Sequence, residues 1–112
     1  MTQTRSSPAE RFAEVVVALR TEPGVTPPSE GKSFGGSGLK VRDKLFAMLV
    51  RDRLVVKLPR GRVDALVASG DGERFDPRRN GQVMKEWLVV EPASGQDWLA
   101  LAREAMTFVE GR

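Results

Sequence analysis

From Phe12 to Leu19 the apolar residues fall at helical steps, with Phe12, Val15, Val16 and Leu19 on one face. Ser7-Pro8-Ala9-Glu10 stands just before them. A serine that accepts from free backbone N–H groups, a proline at the first helical position and a glutamate three residues after the serine make a capping box. The pattern predicts a helix that begins at Pro8 and is stopped by Pro23-Gly24. Val25 to Lys32, with Pro27 and Pro28, reads as an extended connector. Ser33 to Val41 reads as a glycine-rich strand, bulged or crossed closely by another backbone. Leu45 to Val50 and Leu54 to Leu58 are the next two strands, joined tightly through Arg51-Asp52-Arg53. The three strands predict an antiparallel meander. Val63, Leu66 and Val67 return to helical spacing, and Gly70 sits where a helix ends. Asp71 to Gly81 reads as a loop with a short strand at Phe75, and Val83 to Glu91 as a strand carrying Trp87. After a cap in Ser94 to Asp97, Trp98, Leu101, Ala102, Ala105, Met106 and Val109 share one face of a last helix. This order predicts an α+β fold of two layers, an antiparallel sheet with its helices mainly on one side.

The two central strands are apolar on both faces. Phe46, Met48 and Val50 alternate with Leu45, Ala47 and Leu49; Leu54, Val56 and Leu58 alternate with Val55 and Lys57. A strand with one wet face alternates apolar with polar residues. Helices on one side leave the other side bare, and a contiguous apolar patch is a liability in a monomer. The expectation is a homodimer or a docked protein partner, or else a sheet curled over its second face. The candidate contact residues are Phe46, Met48, Val50, Leu54, Val56 and Leu58, or their alternates, since parity alone does not say which set faces out.

Composition narrows the chemistry. The chain has 112 residues and no cysteine, histidine or tyrosine. It is read as one domain from residue 8 to 112 after a disordered start, residues 1–7. Disulfides, thiolate metal sites and thiol catalysis are excluded, and the usual general base is missing. No signal peptide opens the chain and no apolar run is long enough for a bilayer, so a cytoplasmic protein without membrane contact is expected. The net charge of +3 is uneven: between Lys32 and Arg62 nine lysines and arginines face only Asp43 and Asp52. The bland reading is a solvated sheet edge. The functional one is a nucleic-acid contact through Lys40, Arg42, Lys44, Arg51, Arg53, Arg60 and Arg62.

Other candidate chemistry is thin. Gly31-Lys32-Ser33 lacks the earlier glycine of a phosphate loop, because position 26 is Thr26. Gly35-Gly36-Ser37-Gly38 reads as a strand bulge, with an anion-binding nest beside Lys32 and Lys40 as the alternative. Asp71, Glu73, Asp76 and Asn80 break the alternate-residue rule of a calcium loop. Lys57, inside an apolar strand, is the one candidate partner for a serine nucleophile, and a cross-strand ion pair with Glu86 is the preferred reading. Trp87 and Trp98 fit core positions better than base-stacking ones. No catalytic, cofactor or metal residues are assigned, and no enzyme is expected.

Phe34-Gly35-Gly36-Ser37-Gly38-Leu39, Leu45-Phe46-Ala47, Leu54-Val55-Val56-Lys57 and Met84-Lys85-Glu86-Trp87, in this order and spacing, resemble the N-terminal domain of the TfoX/Sxy family. More distantly they resemble YjbR-type proteins. The resemblance implies a two-layer fold of the secretion-chaperone-like kind and offers no catalytic residues. Family members include regulators of natural competence that act in transcription and carry a further helical domain. The expected function is a small non-enzymatic binding or regulatory module acting through protein–protein contact. The alternative is a nucleic-acid-binding accessory domain using the basic central segment.

Overall fold

Ser7 opens the first helix as its sequence dictates. Its hydroxyl accepts from the Glu10 N–H at 3.1 Å, and the Glu10 carboxylate accepts from the Ser7 N–H at 3.0 Å. Both halves of the capping box are therefore made. This helix, α1, runs Pro8–Leu19 and buries Phe12, Val15 and Leu19. The computed structural model describes residues 7–27, 38–76, 84–91 and 97–111. Of the expected disordered start, residues 1–7, only Ser7 is described, and it is fixed as the cap of α1; residues 1–6 and the glycine-rich run from Ser33 to Ser37 lie outside these residues.

The strands are β1 (Val25–Thr26), β2 (Gly38–Val41), β3 (Lys44–Val50), β4 (Arg53–Lys57), β5 (Glu73–Phe75) and β6 (Met84–Val90). Helix α2 (Arg60–Ala68) lies between β4 and β5 in the chain, and α3 (Trp98–Val109) follows β6. The strands form one antiparallel sheet in the order β1-β2-β3-β4-β6-β5. The expected meander is β2-β3-β4. Val25–Thr26, expected as plain connector, adds a two-residue edge to β2. Gly70, at φ +85°, closes α2 in the left-handed conformation that glycine tolerates best. Asp97 caps α3 by accepting from the Ala100 N–H at 3.1 Å.

Every buried residue of the three helices joins one cluster, together with Leu39, Val41, Phe46, Ala47, Leu54, Val56, Leu88 and Val90 from the sheet. The opposite face holds a second, smaller cluster. Val55, Trp87 and Val89 are its buried centre, and Leu45, Met48, Val50 and Phe75 pack around them half-buried. The two-sided apolar strands thus serve two clusters, one on each face.

The register explains which residue goes where. Leu39 lies opposite Ala47, but Lys40 lies opposite Leu45, so Phe46 is the extra residue of a bulge in β3. Strict alternation fails at this point. Phe46 and Ala47 both enter the main core with Leu49, while Leu45, Met48 and Val50 share the other face. The expected contact set is corrected accordingly. Phe46, Leu54, Val56 and Leu58 are fully buried in the main core, and only Met48 and Val50 of the six lie on the helix-free face.

Gly72 fixes how the chain enters β5. A Cβ there would lie 2.6 Å from Leu88 Cδ1 and 2.9 Å from the Val89 carbonyl oxygen. Backbone on one side and a fully buried leucine on the other leave no room to yield. Gly72→Ala is expected to cost about 1–3 kcal/mol in urea unfolding; an unchanged midpoint would show that β5 shifts freely.

Candidate functional site

The basic residues of the central segment do not gather into one patch. Arg42 pairs with Glu110 at 3.6 Å, Arg53 with Glu91 at 3.2 Å and Arg62 with Glu104 at 2.8 Å. These pairs are partly exposed and add little stability, but they offset three of the seven charges. Lys40, Lys44, Arg51 and Arg60 have no carboxylate partner among the described residues. They are scattered. Lys40 stands beside Leu45 on the helix-free face, Lys44 opens β3, Arg51 lies beyond its far end and Arg60 begins α2. The seven residues of β3 alone separate its two ends by about 20 Å.

Two of these arginines sit in twin turns. Val41-Arg42-Asp43-Lys44 and Val50-Arg51-Asp52-Arg53 join β2 to β3 and β3 to β4. Arg42 and Asp43 have φ of 51° and 68°, and Arg51 and Asp52 have φ of 50° and 66°. Two successive positive φ values give the turn whose twist matches a hairpin, usually built with asparagine and glycine. An arginine in this conformation costs on the order of 1–2 kcal/mol. Arg42 pairs from its turn with Glu110, just after α3; Arg51 has no such partner among the described residues.

Arg51 instead stands at a pocket of about 320 Å³ on the helix-free face. Its apolar lining is Val50, Phe75 and Val89, drawn from the second cluster. Its polar lining is Arg51, Arg53, Glu73, Arg74 and Asp76. Side chains from β3 and from β5 bound the same cavity although β4 and β6 lie between them, so this face is concave here. Arg53 is held by Glu91, and Arg74 reaches Asp64 of α2 at 2.6 Å. The β5 side of the pocket escapes sequence reasoning. Phe75, a lone apolar residue in a charged stretch, is its only signal, and nothing in the chain order says that β5 docks outside β6.

The remaining candidates settle into the scaffold. Lys57 faces Trp87 in the β4–β6 register, its ammonium 5.8 Å from the ring centroid. The expected ion pair with Glu86 is not made, because Glu86 sits exposed one residue out of phase with Trp87. Trp98 is buried, and the Arg11 guanidinium lies 4.1 Å over its ring. Asp71 accepts from the Ser69 hydroxyl at 2.6 Å. Among the described residues no three His, Cys, Asp or Glu side chains gather as metal ligands, and no helix is long and apolar enough to cross a membrane. No protein-family model, curated protein or solved structure matches the chain.

Proposed function

We propose that this chain is a small non-enzymatic binding module that works through protein–protein contact on the helix-free face of its sheet. One observation carries this reading. Leu45, Met48, Val50 and Phe75 form a partly exposed apolar rim around Val55, Trp87 and Val89, and no buried residue of any helix reaches that cluster. The partner the chain can itself supply is a second copy, packing rim against rim. The order of helices and strands also supports a TfoX-type domain of the secretion-chaperone-like kind. The pairing of Arg42, Arg53 and Arg62 with carboxylates favours protein contact over phosphate contact.

Sedimentation across a wide concentration range tests the self-association. The expected result is a reversible dimer that Met48→Asp dissolves and that Val17→Asp, on the exposed side of α1, leaves intact. A monomer at every concentration, or a dimer indifferent to Met48→Asp, would remove the rim as the contact.

A further inference from the structure

The pocket between the β3–β4 turn and β5 has a chemistry of its own, and it shares Val50 and Phe75 with the rim proposed for self-association. Most of its polar lining is already spoken for. Arg53 is paired with Glu91, Arg74 with Asp64, and Asp76 is engaged by an interaction of its own. Two charges are left without a partner among the described residues: the Arg51 guanidinium and the Glu73 carboxylate. They come from opposite sides, Arg51 from the β3–β4 turn and Glu73 from the outermost strand. The apolar lining comes from Val50, next to Arg51, from Val89, across from Glu73, and from Phe75, two residues along from Glu73. A free cation on one side, a free anion on the other and apolar walls beside both are the complement of a molecule with a carboxylate at one end, an ammonium at the other and an apolar body.

Size sets the length of that molecule. Strands are spaced about 4.8 Å apart, so the two sides of the pocket are separated by roughly 10–14 Å of sheet, part of which the two charged side chains span themselves. An extended peptide advances about 3.3–3.6 Å per residue. Two or three residues bridge the gap, and a volume of about 320 Å³ has room for them. That volume lies at the small end of ligand pockets. We propose that this pocket binds a short apolar peptide by its two ends, the terminal carboxylate on Arg51 and the terminal ammonium on Glu73.

The twin turns supply an internal comparison. Both hold an arginine at the positive φ that a two-residue hairpin turn requires, but Arg42 pairs with Glu110 while Arg51 has no carboxylate partner among the described residues.

Titration of the purified chain with leucyl-leucine, followed by amide chemical shifts, tests the proposal. The expected result is saturable shifts in β5, β6 and the 51–52 turn. Acetylating the peptide's amino end or amidating its carboxyl end each weakens binding roughly tenfold, as loss of one charge-assisted contact does. Arg51→Gln removes the penalty for amidation and Glu73→Gln removes the penalty for acetylation, while Arg42→Gln changes neither. All three positions are exposed, so folding is spared. No shift at about 10 mM peptide, or equal binding by the free, acetylated and amidated peptides, overturns the proposal. Binding of isovalerate as tight as that of the dipeptide overturns it too, since a plain carboxylate then suffices. Met48→Asp, which dissolves the dimer at a residue outside the pocket, keeps or strengthens this binding, because a rim-to-rim dimer covers Val50 and Phe75.

Discussion

Phe46→Ala is expected to lower the free energy of unfolding by about 3–5 kcal/mol, measured by urea denaturation. Phe46 is among the largest side chains with no exposure at all, and it belongs to the cluster into which all three helices pack. It is also the extra residue of the β3 bulge. Removing the ring leaves a cavity that a bulged backbone, already committed to pairing on both sides, cannot close. For a domain whose total stability is on the order of 5–15 kcal/mol, this is a large share. A loss below about 1 kcal/mol would mean that the ring points away from the helices, and the register given for β3 would be wrong.

The second large effect is expected on the other face. Val55 has no exposure, although no helix covers it. Its cross-strand neighbours are Met48 and Val89, neither of which offers a positive charge. Val55→Asp therefore buries a carboxylate with no cation directly across from it, at a cost of about 3–5 kcal/mol. Met48→Asp, half-exposed in the adjacent strand, keeps its carboxylate in contact with water and costs far less. The contrast separates a packed second cluster from a merely wet one. If thermal unfolding shows both variants equally stable, the centre of that face is open to solvent.

Much of this architecture was legible in the sequence because it depends on neighbours in the chain. The capping box at Ser7, the glycine after α2 and the helical face of α3 each need only a few consecutive residues, and each is present where the pattern places it; the cap expected within Ser94 to Asp97 is Asp97. What was not legible depends on partners distant in the chain. A bulge belongs to a pair of strands, so the division of Phe46 from Met48 and Val50 needed the position of Lys40 opposite Leu45. The same holds for the ionic contacts. Arg42 and Arg62 look like free cations in a basic segment until α3 brings Glu110 and Glu104 beside them. Lys57 was matched to the wrong residue by a single step of register, Glu86 in place of Trp87. The pocket needed all of this at once, since β5 reaches it only by docking outside β6.

The extra residue in β3 also makes that strand tolerant of a change in length at one place. Phe46 and Ala47 point to the same side, so losing either one restores a plain pleat and leaves Leu45 and Met48 facing as before. Losing Leu49 instead would turn over everything on one side of the gap, because side chains alternate with a period of two. A one-residue deletion scan along Lys44–Val50 should therefore find its mildest folding defect at Ala47, where little volume is lost and the pleat keeps its phase.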